Sequence, residues 1–424
     1  MSPGPPITNR RELHDFLDSY TYSRRTEIDK RQLGKDVGLL KSYILETTNH
    51  NGTPDISHSL TSDSLRVDSD EGNLVRLSYS NGLFGYAEPL TSRHFAIHSY
   101  VQNDSADQTV QRAIRDSSDL DSLWLAGETF YQVLDQLIRP SAPHRSVNIK
   151  FEFNYKFSAI GYDHEADQLT AEELAADQLA TDESTLDDVV DDVVADEEVN
   201  EDRWAVSLIE KAGRLASNLP QYQEINRHWE AIKMLRIPSQ RQGGFDLWNW
   251  GKMTHRASTF REGNGYLRYI ASVYEQATRA IEETVWLDAE PTRIRDTTQF
   301  RLKGVPVVFR FRNTLPPSIF QDFITTTFAA GQGPFRLWGN PIYMGPGKVH
   351  VYGMDLHLWQ QLYMELTTDY FLFLLPQGTC GNTVHRLMTN IQRYVDPGVS
   401  ASVGGTNYED FIVNAMRTTV ITDD

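Results

Sequence analysis

The sequence contains almost no cysteine and no long hydrophobic run, and each shortage excludes a class of protein. Cys380 is the single cysteine in 424 residues, which excludes an intramolecular disulfide and a cysteine-based zinc cluster. The lack of a disulfide fits a reducing compartment. The longest apolar run, residues 370–375, is far shorter than the roughly 20 residues of a membrane-spanning helix. Because the N-terminus also lacks the apolar stretch of a secretory signal, we expect a soluble intracellular protein with no membrane partner.

Positive charge is absent from one segment of the chain. Residues 163–202 contain seventeen Asp and Glu and neither Lys nor Arg, whereas the rest of the chain has 41 acidic and 40 basic residues. The net charge of −18 therefore belongs to this segment, which suits a disordered loop, a protruding helical element or a docking site for a basic partner. The nearly neutral remainder repels its own copies little, as a self-associating subunit requires.

Apolar residues recur at helical spacing in most of the chain, and this pattern predicts a mainly α (α+β) protein with a few short antiparallel strands. Helices are predicted over residues 9–20, 26–46, 120–139, 204–218, 221–235, 266–286, 316–329, 354–375, 382–394 and 408–418. Alternating apolar and polar residues predict strands over residues 147–158 and 300–312. A strand-like stretch is also predicted over residues 74–101, with a break at Asn81-Gly82, and turns and short strands are predicted over residues 331–347.

The charge and periodicity patterns together divide the chain into three parts. Residues 1–160 are expected to form an N-terminal helical arm and an α+β part. Residues 161–203 form the acidic insertion, which is mobile or protruding, and residues 204–424 form a second, helix-rich α+β part.

Each motif with catalytic or metal-binding residue types lacks something that its chemistry needs. His94 and His98 are four residues apart, but a phenylalanine stands where a zinc protease needs a glutamate. Cys380 and His385 are a nucleophile and a base by type, yet their spacing gives no reason for contact. Gly345-Pro-Gly-Lys348 lacks the first glycine and the hydroxyl residue of a phosphate loop. We therefore predict no catalytic residue, no metal ligand and no cofactor.

Basic residues interleaved with aromatic residues indicate a nucleic-acid contact in residues 227–261 and 300–312. This combination suits phosphate neutralisation and base stacking, although a solvated charged face or ion pairs between subunits give the same pattern. The predicted nucleic-acid-binding residues are Arg301, Lys303, Arg310, Arg312, Arg241, Lys252, Arg256 and Arg261.

Tryptophan and tyrosine are abundant, with eight and nineteen residues, and both are favoured anchors of protein interfaces. They indicate a subunit that binds copies of itself. The predicted assembly residues are Trp248, Trp250, Trp338 and Trp359.

Two short stretches, Asn81-Gly-Leu-Phe-Gly-Tyr86 and Gly331-Gln-Gly-Pro-Phe-Arg-Leu-Trp338, are typical of a viral coat protein. With its length, its helix-rich shell region and its acidic insertion, the chain resembles the coat proteins of small double-stranded RNA viruses of fungi and plants, the partitivirus type. The resemblance implies dimers that assemble into an icosahedral shell around an RNA genome, in the virion and the host cytoplasm. No functional residue of that family is carried over to this sequence.

Two alternatives to a coat protein fit the sequence. A nucleoprotein-like subunit would also bind nucleic acid, but a filament-forming one needs a continuous basic groove, which a nearly neutral body disfavours. A hydrolase whose site is assembled from distant residues would leave no motif in the sequence.

Overall fold

The computed structural model contains two large antiparallel sheets and a long helix that packs on both. It describes residues 7–30, 38–47, 53–60, 65–71, 74–79, 82–138, 144–154, 203–215, 218, 231–294, 297–330 and 333–417. Within these ranges, twenty strands form sheets of eleven, seven and two strands, against eight α-helices and one short π-helix. The prediction of a helix-rich, mainly α fold is therefore wrong, because the strands, most of them in two large antiparallel sheets, contain at least as many of the described residues as the helices do.

The first sheet has eleven strands, each antiparallel to its neighbours. They are β1 (Leu40–Thr47), β2 (Arg66–Asp70), β3 (Val75–Tyr79), β4 (Gly82–Pro89), β5 (His94–Ser99), β6 (Leu120–Ser122), β7 (Ser146–Asn154), β8 (Arg203–Lys211), β9 (Ile232–Pro238), β10 (Gly244–Trp248) and β11 (Lys252–His255). Their order is β2-β3-β4-β5-β1-β11-β10-β9-β7-β8, and β6 pairs with β1.

The acidic segment connects two neighbouring strands of this sheet. β7 precedes it in the chain, β8 follows it, and the two pair along their whole length. The predicted domain boundaries at residues 160 and 204 therefore separate two strands that pair with each other in one sheet. Residues 163–202 themselves, and the predicted protrusion, lie outside the described residues.

The second sheet has seven antiparallel strands, and a separate two-stranded hairpin precedes it. The hairpin consists of β12 (Asp288–Ile294) and β13 (Thr297–Lys303). The sheet contains β14 (Val307–Arg310), β15 (Leu337–Gly345), β16 (Lys348–Asp355), β17 (Gln360–Thr367), β18 (Tyr370–Leu374), β19 (Ser400–Val403) and β20 (Thr406–Asn407). Their order is β15-β16-β17-β18-β14-β19-β20, so β15 lies at one edge.

The helices lie between and beside the sheets. They are α1 (Arg10–Asp29), α2 (Ile56–Ser59), α3 (Asn103–Asp116), α4 (Gly127–Val133, continued by a π-helix over Leu134–Ile138), α5 (Phe260–Val285), α6 (Pro317–Ala330), α7 (Asn382–Tyr394) and α8 (Tyr408–Arg417). In the described part of the chain, none of these helices combines the length and apolar content that crossing a bilayer requires.

Helix α5 holds the two sheets together. Its first half contributes Leu267 and Ile270 to the core of the first sheet. Its second half contributes Ala277 and Ile281 to the core under the second sheet, with side chains of α6, α7 and α8. A helix of 26 residues is about 39 Å long, which is enough to span both cores.

The second sheet buries one face and exposes the other. Along β16, Val349 and Val351 are buried in the core, whereas Tyr352 between β15 and β17 is exposed. This alternation follows from the two-residue period of a strand whose sheet packs on helices from one side only.

Several predicted helices are strands. Residues 354–375 form the end of β16 and all of β17 and β18, and residues 204–211 belong to β8. The predicted helix over residues 26–46 is also wrong, because α1 ends at Asp29 and β1 follows. Strand β1 is buried at every residue. Strands covered on both faces lose the alternation that identifies them in a sequence.

The strongest local patterns are confirmed. α5, α6, α7 and α8 occupy the predicted helical stretches, and β7 occupies the alternating one. The helix start at Asn9 is also correct, because the Asn9 side chain accepts a hydrogen bond from the Glu12 backbone N–H.

Candidate functional site

The exposed side of strands β15–β17, with the turn between β16 and β17, carries a dense group of large apolar side chains. We call this surface the outer face. Its members are between 37% and 64% exposed. They are Trp338, Ile342, Met344, Tyr352, Trp359 and Tyr363, whereas the exposed Tyr343 lies on the other side of the sheet, where its hydroxyl accepts a hydrogen bond from Gln321 on α6.

The strand register places these side chains in adjacent rows. Tyr352 on β16 is directly opposite Tyr363 on β17, with ring centroids 5.5 Å apart and ring planes at 88°. Trp338 on β15 is opposite Met354 on β16. Trp359 lies in the β16–β17 turn, beside Gln360, at the end of the sheet where β15 begins.

Trp359 has a backbone conformation that a bulky residue rarely adopts. Its φ is 52°, in the left-handed region that costs a non-glycine residue about 1–3 kcal/mol. Its side chain is nevertheless exposed, so no burial of the indole offsets that cost. Strained and exposed residues of this kind are common at binding sites.

Charges on this side of the sheet are paired with each other. Glu365 lies 2.9 Å from Lys348 Nζ and 2.9 Å from His350 Nε2, and it also accepts a hydrogen bond from Tyr370. These contacts, led by the Tyr370 hydrogen bond, lower the pKa of Glu365 to about 2. The positive and negative side chains around the aromatic rows thus neutralise each other.

A second feature lies between the two sheets, where seven charged side chains are buried together. We call this group the junction cluster. It contains three arginines and four carboxylates, namely Arg93, Arg336, Arg386, Glu46, Asp121, Glu282 and Asp355.

Arg93, just before β5, joins the first sheet to helix α5. Its Nε donates to Glu46 on β1 at 2.6 Å, and its terminal nitrogens donate to both carboxylate oxygens of Glu282 on α5. It also donates to Cys380 Sγ at 3.1 Å. Burial lowers the pKa of Arg93, but Glu46 and its other neighbours outweigh burial and raise the pKa above its ordinary value.

Arg386 on α7 joins the same region to the second sheet. It donates to Asp121 on β6, and to Asp355 at the end of β16 at 2.6 Å. Burial raises the pKa of Asp121, but the charge of Arg386 outweighs it, so the net shift is downward. The start of α7 can pack closely on α5 because residue 381 is glycine. A Cβ at Gly381 would lie 2.6 Å from the Thr278 carbonyl oxygen on α5.

Cys380, Glu46 and His357 meet at the centre of the junction cluster. One carboxylate oxygen, one ring nitrogen and the thiol sulfur lie within 4.8 Å of one another. Metal ligands of these three types are therefore present at one point, although the sequence indicated no metal site. No local motif reveals this site, because Cys380 and Glu46 are 334 residues apart.

The structure also contains a buried chain of Ser, His and Glu side chains. The Ser42 hydroxyl lies 2.8 Å from His98 Nδ1, and His98 Nε2 lies 3.2 Å from Glu88. This order resembles a hydrolase triad, but Ser42 is fully buried and also lies 2.8 Å from His255. Because Ser42 is shielded from solvent, this series of hydrogen bonds fits a structural role. Glu88 on β4 also contacts His14 on α1 and so holds α1 against the first sheet.

Six of the eight predicted nucleic-acid-binding residues are exposed, and two are buried. Lys252 pairs with Asp107 at 2.6 Å, and Arg256 pairs with Asp246 at 2.7 Å. Both pairs lie inside the fold, so these two residues do not face a polyanion. The exposed residues are Arg241, Arg261, Arg301, Lys303, Arg310 and Arg312.

The four predicted assembly tryptophans also separate into two groups. Trp338 and Trp359 are exposed on the outer face. Trp248 is buried with Lys252 over its ring, and Trp250 is half-buried against Tyr43.

The two residue pairs considered for metal binding or catalysis do not act as pairs. His94 lies beside Thr91 and Glu275, whereas His98 bonds Ser42 and Glu88. Cys380 contacts Arg93 and Glu46, and His385 Nδ1 is hydrogen-bonded to Tyr408.

Comparisons with known proteins give a family and one relative. A family model described as "MJECL33-like protein" matches residues 1–412, a range that contains every strand of both sheets. A Methanocaldococcus jannaschii protein described as "Uncharacterized protein MJECL33" is 21% identical over 401 residues, which cover 92% of this chain and 93% of the relative. No solved structure matches the chain.

The Glu88 carboxylate predicts an acid-sensitive fold. Burial raises its pKa, but hydrogen bonds with His14 and His98 outweigh burial and hold the pKa well below its ordinary value. The folded state therefore binds this proton more weakly than the unfolded chain. The group stabilises the fold above its unfolded pKa of about 4.3, and that stabilisation is lost as the pH falls.

We expect Glu88→Gln to lower the unfolding free energy near pH 6 by about 3–5 kcal/mol, the usual effect of removing one partner of a buried pair. Its loss of stability between about pH 5 and pH 3 should be smaller than that of the unmodified protein. Urea unfolding across this range measures both. Glu71→Gln, at an exposed position, is the control, and parallel pH profiles for the two variants would contradict the assignment.

Proposed function

The chain belongs to the MJECL33-like protein family, and we propose that it is a non-catalytic structural subunit that binds a second copy of itself through the outer face. The observation that carries this proposal is the set of six large apolar side chains exposed on one side of β15–β17 and the adjoining turn. Contiguous apolar surface of this kind marks interaction sites.

The size of the outer face fits a stable dimer. If each of the six side chains offers about 200 Å² when fully exposed, their exposed fractions amount to roughly 600 Å². Each partner in a standard-size interface buries about 800 Å². The outer face therefore approaches the required area before any backbone or rim residue is counted.

The charge distribution favours a second copy as the occupant. In a two-fold dimer the same patch lies on both sides, so an unpaired charge on it would meet its own copy. The aromatic rows are uncharged, and Glu365 on the same sheet is already paired with Lys348 and His350. Because these charges are already paired, the outer face would not attract a highly charged partner.

The geometry favours packing by faces and not by edges. β15 is an edge strand, but it contains Pro341, which has no N–H to donate to an added strand. Two sheets that pack face to face lie about 10 Å apart and interdigitate their side chains. The Trp and Tyr side chains of the outer face have the size that this arrangement needs.

A two-fold contact alone ends at a dimer. The icosahedral RNA-containing shell implied by the resemblance to partitivirus-type coat proteins would need further contacts between dimers. That function stays a prediction, and the helix-rich shell region expected with it is not found among the described residues.

Binding in place of catalysis is supported by the state of the reactive side chains. Ser42 and Cys380 are both buried, and burial, the largest influence, raises the pKa of the Cys380 thiol well above its ordinary value. A hydroxyl and a thiol that are shielded from solvent and substrate are poor nucleophiles.

A second candidate function is RNA binding by the hairpin β12–β13 and the adjacent strand β14. Phe300 on β13 is 72% exposed and stands next to Arg301, while Lys303 and Arg310 are exposed nearby in the chain. An exposed ring among cations suits base stacking beside phosphate contacts.

Tyr352→Asp on the outer face tests the dimer. The variant would bury like charges opposite each other, and we expect its dimer dissociation constant to rise about 100-fold or more. Analytical ultracentrifugation over a concentration series measures this constant. Tyr22→Asp is the control, because Tyr22 is 66% exposed on α1. Equal dissociation constants for both variants, or a monomeric unmodified protein at high concentration, would refute the proposal.

The joint replacement of Arg301, Lys303, Arg310 and Arg312 by Gln tests RNA binding. We expect less co-purified nucleic acid and a salt dependence of binding that is weaker by up to about 0.7 per lost phosphate contact, with a nearly unchanged melting temperature. Absorbance at 260 and 280 nm and titration with single-stranded RNA measure these effects. The matched control replaces Arg11, Lys30, Arg66 and Arg115, which are exposed elsewhere. Unchanged nucleic-acid content in the first variant would remove this candidate.

A further inference from the structure

Three side chains of different metal-ligand types converge inside the junction cluster. The Cys380 sulfur lies 3.3 Å from a Glu46 carboxylate oxygen, and a ring nitrogen of His357 completes a group within 4.8 Å. Two ligands on a tetrahedral zinc ion, one sulfur and one oxygen, are about 3.5 Å apart when the bond lengths are about 2.3 and 2.0 Å. The spacing of Cys380 and Glu46 therefore already matches a pair of zinc ligands.

His357 provides an independent indication of a missing partner. Its side chain is fully buried, and neither ring nitrogen has a hydrogen-bond partner among the described residues. The Asp121 carboxylate lies 3.8 Å from Nδ1, too far for a hydrogen bond, so both ring nitrogens are available for another contact. Buried polar atoms almost always have a partner, and a metal ion would supply one.

The net charge of the junction cluster is negative, which favours the binding of a cation. Four carboxylates face three guanidinium groups, so one negative charge is in excess. A Cys380 thiolate adds one more negative charge, and a divalent cation balances both.

The surroundings of the three ligands fit a metal site. Arg93 donates to the outer oxygen of Glu46 and to Cys380, and its own charge is compensated by both oxygens of Glu282. Cys380 also precedes the first turn of α7, whose N-terminal end favours a thiolate. Asp121 stands beside His357 as an outer carboxylate does in many zinc sites.

We propose that Glu46, His357 and Cys380 bind one zinc ion, or another divalent ion that accepts sulfur, nitrogen and oxygen ligands. The three ligands come from β1, from the turn after β16 and from the second residue before α7, so the ion ties the first sheet to the second. The fourth position of a tetrahedral ion is left for a small ligand such as water. This site is separate from the outer face and does not depend on the proposed dimer.

The test uses the full-length protein, stripped of metal and titrated with Zn²⁺ or Co²⁺ alone. We expect one ion per chain after dialysis and a sulfur-to-cobalt charge-transfer absorption. Because Cys380 is the single cysteine of the chain, that absorption assigns the site. X-ray absorption at the zinc edge should show one sulfur among nitrogen and oxygen neighbours. No retained zinc, or a zinc shell without sulfur, would overturn the proposal even if every variant misfolds.

Variants then identify the ligands. Cys380→Ser and His357→Gln should each weaken zinc binding more than the roughly 10- to 100-fold loss caused by changing an outer partner. His385→Gln is the matched control, because His385 is equally buried but bonds Tyr408, and it should keep one zinc per chain. Equal zinc content in the soluble Cys380→Ser and His385→Gln proteins would also overturn the assignment.

Discussion

The ion pairs buried between the two sheets are the contacts on which the rest of the fold depends. Arg93 and Arg386 each hold two carboxylates that come from different elements, so the first sheet, α5, β16 and α7 have to meet in one arrangement. Removing one partner of such a buried pair costs about 3–5 kcal/mol, because the other charge stays uncompensated. Apolar packing along α5 brings the sheets together, and the junction cluster fixes their relative position.

This constraint determines which surfaces remain available. The inner face of the second sheet is covered by α5–α8, and the reactive side chains Ser42 and Cys380 lie in buried polar networks. Partners can therefore contact only the surface of the described part of the chain. The outer face is the largest apolar part of that surface. The proposed self-association therefore follows from the way in which the core is built.

The sequence predicts local features well and long-range pairing poorly. The Asn9 cap, the periodicity of α5 and the alternation of β7 depend on neighbours in the chain, and all three are confirmed. β1 is buried at every residue and lacks alternation, and the sequence pattern predicts it as the end of a helix. β3, β4 and β5 lie in the strand-like stretch predicted over residues 74–101. Lys252 and Arg256 have carboxylate partners about 145 and 10 residues away, and Glu46, His357 and Cys380 meet only through the fold. Trp338 and Trp359 are predicted as interface residues from residue type alone, and the structure shows that both are exposed.

The most direct test of the account is hydroxyl-radical footprinting of the unmodified protein at low and high concentration. This measurement reports the solvent exposure of single side chains and needs no variant. The account predicts that Trp338, Tyr352 and Trp359 are oxidised several times more slowly at the higher concentration, while Tyr22 on α1 reacts at the same rate in both samples. Oxidation rates on the outer face that do not change with concentration would contradict the claim that this surface binds a second copy.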